Sequence, residues 1–194
     1  MAEMLEIRWH GRGGQGAKTA AILLAEASAA AGKYIQAFPE YGPERMGAPV
    51  VSYNRISDEP ILLHSSVVSP QYVMVLDPTF IGSVDFTADI PPGGTIVLNT
   101  SHSRDEMWER MQLGDRDLRL FVVDASAISE AEIGRPIPNT PMLGALAKVS
   151  KGLELEALIE DITGKLERKF RDRPEVIEGN LRAIRRAHAE VSGG

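Results

Sequence analysis

The stretch Leu5-Glu-Ile-Arg-Trp-His-Gly-Arg-Gly-Gly-Gln-Gly16 constrains this chain more than any other. It reads as a short strand that runs directly into a glycine-dominated turn, and an alanine-rich helix over Ala17 to Ala31 follows at once. Glycines at 11, 13 and 16 satisfy a G-x-G-x-x-G spacing in the strand-turn-helix setting that this spacing requires. Glycine lets such a turn adopt positive φ and lets a ligand reach the bare backbone. The helix that opens after Gly16 offers unpaired N–H groups and a positive dipole end, which suit an anion such as a phosphate. Arg12, Lys18, Arg8 and His10 are counted here as added positive charge. The same turn also serves plain close packing of strand against helix, and this reading stays open beside the first.

Two specific phosphate sites fit poorly. A Walker A loop needs Gly-Lys-Ser/Thr, and Ala17 separates Gly16 from Lys18-Thr19. A dinucleotide site needs an acidic residue at the end of the second strand. Glu40 stands near the right distance, but within the loop Pro39-Glu40-Tyr41-Gly42-Pro43.

The chain has 194 residues, enough for one well-buried domain spanning 1–194. A net charge of −6 argues against nucleic acid or an anionic membrane surface as a partner. No apolar run approaches the ~20 residues that cross a bilayer, so a cytoplasmic location is expected. There is no cysteine, which removes disulfides, thiolate nucleophiles and cysteine-held zinc or iron–sulfur clusters from this chain. The histidines at 10, 64, 102 and 188 are scattered, and no metal site is expected.

The first 125 or so residues alternate strands with helices or loops, and strands are predicted at Glu6–His10, Tyr34–Phe38, Val50–Ile56, Tyr72–Leu76, Thr95–Asn99 and Arg119–Asp124. Near-continuous apolar runs such as Tyr72-Val-Met-Val-Leu76 indicate strands covered on both faces. The expected fold is therefore α/β: a Rossmann-like open sheet, mostly parallel, sandwiched by helices, with a helical C-terminal part. Asp77 and Asp124 follow two of the strands, where open α/β sheets place ligands, although Asp77 can equally cap the next turn. From Thr140, read as an N-cap before Pro141, the pattern becomes helical. Met142, Leu146 and Val149 form one stripe, Leu155 to Leu166 a second, and Ile177, Leu181 and Ile184 a third. Gly193-Gly194 reads as a frayed end.

The segment Phe38-Pro-Glu-Tyr-Gly-Pro-Glu-Arg-Met-Gly-Ala-Pro49 carries three prolines and two aromatics between two strands. Prolines stiffen it, so Glu44 and Arg45 are expected at defined places. It can pack over its own aromatics, or it can be buried against a ligand or a partner chain.

Four blocks together resemble the gamma subunit of the 2-oxoacid:ferredoxin oxidoreductases, and most closely the pyruvate type. They are His10-Gly-Arg-Gly-Gly-Gln-Gly16, Gln36-Ala-Phe-Pro-Glu-Tyr-Gly-Pro-Glu-Arg45, Gly47-Ala-Pro49 and Asn139-Thr-Pro-Met-Leu-Gly144. Relatives acting on 2-oxoglutarate typically lack the His-Gly-Arg start and the Phe-Pro-Glu-Tyr string. Met46 departs from the second Arg or the Thr that many relatives carry there.

The resemblance implies a subunit that works only inside a larger assembly. Separate alpha and beta chains, with a small ferredoxin-like delta chain, would carry thiamine diphosphate, Mg2+ and [4Fe–4S] clusters, with ferredoxin as the electron acceptor. The gamma-type domain is associated with coenzyme A. On this reading Gly11, Gly13, Gly14 and Gly16 offer backbone donors to CoA phosphates, Arg12 and Lys18 supply charge, and Gln15 offers its amide. Glu44 and Arg45 shape a neighbouring wall or the contact with the thiamine-bearing chain. The rival expectations are a gamma subunit for branched-chain or aromatic 2-oxoacids and a scaffold without ligand contacts. In isolation such a subunit is expected to leave an apolar interface exposed, through which a homodimer is possible.

Overall fold

A computed structural model describes residues 4–40 and 47–194. Seven strands form one sheet in the order β2-β3-β1-β4-β5-β6-β7. They are β1 (Leu5–Arg12), β2 (Tyr34–Pro39), β3 (Pro49–Ser57), β4 (Tyr72–Val75), β5 (Gly94–Asn99), β6 (Leu118–Val123) and β7 (Ser192–Gly193). The central four, β1, β4, β5 and β6, run parallel, and all six strands expected from the sequence are present. The margins are antiparallel: β3 pairs with β1 and with β2, and β7 pairs with β6. The C-terminal Ser192-Gly193 is thus a sheet-edge strand against Phe121 and Val122, not a frayed end.

Six helices accompany the sheet: α1 (Ala17–Ala30), α2 (Arg104–Arg110), α3 (Ala125–Ile133), α4 (Asn139–Val149), α5 (Leu155–Lys169) and α6 (Pro174–Glu190). Successive side chains along a strand point to opposite faces of the sheet, and this period-two alternation sorts the core into two halves. Ile7, Trp9, Met74, Leu76 and Val97 pack with α1, α3, α4, α5 and α6. Val73, Val75, Ile96, Leu98 and Leu120 pack the other way, against Phe80, Phe86 and Met107 of α2. One face is therefore covered by α1 and α4, with α3, α5 and α6 packed around them, and the other by α2, a 3-10 turn at Pro78–Phe80 and the segment up to Ile90. β4 and β5 are buried throughout, which is why they read as unbroken apolar runs.

Several polar groups in the core are paired across elements. The Trp9 indole donates to Asn54 Oδ1 at 2.8 Å, and Asn54 Nδ2 donates to the Ala21 carbonyl at 2.8 Å, tying β1 and β3 to α1. On the opposite face Arg55, 1% exposed, meets Glu6 at 2.7 Å. Its remaining N–H groups reach Gln36 Oε1 and the carbonyls of Ser65 and Ser66, holding the stretch after β3 against the sheet.

Helix α4 begins two residues earlier than its sequence suggests, with Pro138 rather than Thr140 at the N-cap position. Asn139 opens it, and the Asn139 side-chain oxygen, not that of Thr140, accepts the first-turn N–H, from Thr140 at 2.8 Å. Gly144 of α4 lies against the backbone of α6: a Cβ there would stand 2.0 Å from the Ile184 carbonyl oxygen.

Candidate functional site

From β1 the chain crosses through α1 to β2 and β3 on one side, whereas β4 lies on the other side of β1. The reversal leaves a crevice at the C-terminal ends of β1 and β4, where open α/β sheets bind ligands. The glycine turn follows β1 into this crevice, and Asp77 follows β4.

Geometry divides the glycines by role. Gly11 lies inside β1, where a Cβ would sit 3.2 Å from Ala17 Cβ, so it serves close packing and is not part of the turn. The Gly13 N–H donates to the Ala48 carbonyl at 3.0 Å and is not available to a ligand. Gly14 (φ 101°) and Gly16 (φ 83°) adopt the left-handed region that the turn demands. Gly16 is the N-cap of α1, which has no side-chain cap. The first N–H groups of that helix are therefore directed into the crevice without a protein acceptor among the described residues. Asn139, the first residue of α4, closes over the turn: a Cβ on Gly16 would meet its Nδ2 at 2.6 Å. Two helix N-termini thus meet at the loop, and Asn139, which sequence reasoning placed in a family block but not in the site, is part of it.

Asp77 is the hub of the opposite wall. Its Oδ2 accepts from Arg12 Nε at 2.9 Å and from Gln15 Nε2 at 2.8 Å, and its Oδ1 accepts from the Thr79 N–H and hydroxyl. It caps the 3-10 turn as expected and in addition anchors the glycine loop. Burial pushes its carboxyl up, but the bonds from Thr79 and Gln15 and the Arg12 charge outweigh this and hold it below the usual carboxylate value. Arg12 also donates to the carbonyl of Gly47 and to Thr79 Oγ1, and its guanidinium lies 4.7 Å from the Phe80 ring centroid. Gln15 accepts from the Arg12 N–H with the rest of its amide. Both side chains are therefore engaged internally, and the Arg12–Asp77 pair is neutral as a unit.

Lys18 is exposed in the first turn of α1 and forms no ion pair among the described residues. Arg8 and His10 do not add charge here. Alternation along β1 turns them to the face away from α1, where Arg8 donates to the carbonyls of Phe86 and Ala88. Burial, with the nearby Arg8 charge, lowers the His10 pKa to about 4, so it is neutral at pH 7. Glu44 and Arg45 lie outside the described residues.

The family pattern for pyruvate ferredoxin/flavodoxin oxidoreductase matches residues 6–190. The chain belongs to this family. It is 47% identical over 186 residues to the pyruvate synthase subunit PorC of Thermotoga maritima, covering 96% of this chain and 94% of that one. It is 42% identical over 188 residues to the common gamma subunit of the pyruvate/ketoisovalerate oxidoreductases of Pyrococcus furiosus, covering 97% of each chain. The crystal structure of the Thermotoga maritima pyruvate oxidoreductase subunit superposes with a TM-score of 0.85 at 42% identity, covering 99% of each chain. The chain is thus a gamma-type subunit of a 2-oxoacid:ferredoxin oxidoreductase, as the four sequence blocks indicate.

Among the described residues no group of three His, Asp or Glu side chains is placed to hold a metal, and no helix is long and apolar enough to cross a membrane. A cavity of about 410 Å³ beside Gln71, Pro92 and Arg119 lies at the N-terminal ends of the parallel strands, the end remote from the glycine loop.

Proposed function

We propose that this chain supplies the coenzyme A phosphate-binding loop of a pyruvate:ferredoxin oxidoreductase. The assembly converts pyruvate and CoA to acetyl-CoA and CO2, with two electrons passing to ferredoxin. Thiamine diphosphate, Mg2+ and [4Fe–4S] clusters sit on the alpha, beta and delta partner chains. The observation that carries this reading is the uncapped N-terminus of α1 behind Gly14 and Gly16, joined by the start of α4. Because Arg12 is neutralised by Asp77, the attraction for phosphate comes from the free N–H groups, the helix dipole and Lys18. Arg12, Gln15 and Asp77 act as positioning residues that hold the loop in its shape.

A scaffold role without ligand contact draws support from the internal engagement of Arg12 and Gln15. Gly14→Val and Asn139→Ala, each introduced into the assembled complex, separate the two readings. A CoA site predicts that KM for CoA rises about tenfold or more while KM for pyruvate holds. Assembly failure with unchanged KM for CoA in the complex that does form overturns the CoA assignment in favour of the scaffold.

A further inference from the structure

The cavity of about 410 Å³ at the N-terminal ends of the parallel strands is of a size that suits a small molecule, roughly 300–1,000 Å³. Its apolar wall is built from Leu5, Ile56, Pro91 and Leu153. Its charged lining is Lys33, Arg119 and Lys151 against one acid, Asp58, which is committed to Lys33. Among the described residues Arg119 and Lys151 form no ion pair. Helices α1 and α4 end just before Lys33 and Lys151, and each carbonyl end brings about half a negative charge. The cations outweigh Asp58 and the two helix ends by about one positive charge, which suits a monoanion.

An independent observation points to an occupant. Tyr72, Thr95 and Arg119 are direct cross-strand neighbours on β4, β5 and β6. Each precedes a residue of the α2-side core, so alternation turns all three to the face of α1 and α4, where the turn Lys151-Gly152-Leu153 closes the cavity. Tyr72 lines the cavity at 6% exposure, and its hydroxyl forms no hydrogen bond among the described residues. Thr95 has no exposed surface, and its hydroxyl is likewise without a partner. Gln71 is held by its Oε1, which accepts the Glu6 N–H at 2.6 Å, and this leaves its Nε2 as a further donor on the lining. Buried polar groups in folded proteins are nearly always paired, so a row of donors beside two free cations calls for a group rich in acceptors. A carboxylate is such a group: it only accepts, and it takes a planar guanidinium in a two-pronged contact. A phosphate monoester, with a charge of about −1.5 to −2, exceeds the positive charge on offer.

We propose that this cavity is a second ligand site, for a small monocarboxylate with an apolar body. Arg119 and Lys151 face the carboxylate, Gln71, Tyr72 and Thr95 donate to it, and Leu5, Ile56, Pro91 and Leu153 cover the hydrocarbon. The site shares no residue with the glycine loop or with Asp77 and stands independently of the CoA reading. β1 and β4 begin at this cavity and end at the crevice, so the two sites occupy opposite ends of the same pair of strands.

The test is isothermal titration of the full chain with isocaproate, and with isocaproamide as its uncharged counterpart. One molecule of the acid is expected to bind per chain, and the amide about fivefold or more weakly. Arg119→Ala/Lys151→Ala removes two exposed side chains, so it leaves the fold intact, weakens the acid about fivefold or more and leaves the amide unchanged. Thr95→Val exchanges an unpaired buried hydroxyl for a methyl group. It is expected to hold or raise the thermal midpoint of the free chain while weakening the acid about two- to tenfold, whereas a Thr95 that serves packing alone would leave the affinity as it was. Equal binding of the two probes, an acid affinity unchanged in either variant, or no saturable binding of the acid up to about 10 mM overturns the proposal.

Discussion

Replacing Gly16 by alanine tests the meeting of α1 and α4 directly, with Gly14→Ala as its control. Both glycines hold positive φ, so each alanine bears the left-handed penalty of roughly 1–2 kcal/mol. They differ in surroundings. A Cβ at Gly14 meets nothing within 4 Å, whereas at Gly16 it meets Asn139 Nδ2 at 2.6 Å, Cγ at 2.9 Å and Cβ at 3.0 Å. Asn139 must then swing away, and the bond from the Thr140 N–H that opens α4 is lost with it. Loss of such a hydrogen bond costs about 1 kcal/mol. Gly16→Ala is therefore expected to lower unfolding free energy by roughly 2–3 kcal/mol and Gly14→Ala by about 1–2 kcal/mol. Urea denaturation of the chain measures both. In the double variant Gly16→Ala/Asn139→Gly the clash has no partner, and a coupling energy of about 1 kcal/mol should appear in the cycle. Equal losses at the two glycines, with no coupling to Asn139, would refute the argument that α4 leans on the loop.

Two further outcomes follow from groups away from the crevice. Arg55→Ala leaves the Glu6 carboxylate buried and unpaired and frees the Ser65 and Ser66 carbonyls, a loss of about 3–5 kcal/mol in urea denaturation; a loss under about 1 kcal/mol would show that the pair does not hold the segment after β3. His10, with a folded pKa of about 4, refuses a proton that the unfolded chain binds below about pH 6.5, so stability falls as pH drops through that interval. The fall attributable to His10 is bounded at roughly 3 kcal/mol, and His10→Gln should flatten the stability profile between about pH 6.5 and 4.5. His188, also lowered by burial, contributes to both proteins alike, so coincident profiles would mean that His10 is not the group responsible.

The strand-turn-helix opening was legible because its signal is local: apolar alternation, glycine spacing and an alanine-rich helix stand within a few turns of each other. The buried strands were legible for the same reason. Asp77 could be read as a cap but not as the anchor of the loop, because its partners Arg12 and Gln15 lie 65 and 62 residues away. The pattern that turns Arg8 and His10 away from the loop is itself local: Ile7 and Trp9 mark the face of β1 toward α1, and alternation sends the even residues the other way. α3 is weakly patterned, with Ala125, Ile128 and Ser129 as its buried residues, and a two-residue strand such as β7 has no period to detect. The cavity beside Gln71 and Arg119 draws its walls from the starts of several strands, and only tertiary packing assembles it.

The contact at Gly144 acts as a fixed gauge. With the backbone of α4 seated against the Ile184 carbonyl, α6 cannot slide along α4 without collision. Asn139 stands at the start of one of these helices, and Arg173 at the start of the other. The distance between the glycine loop and the N-terminus of α6 is thereby fixed by the seating of one helix backbone on another, so neither end can shift without the other.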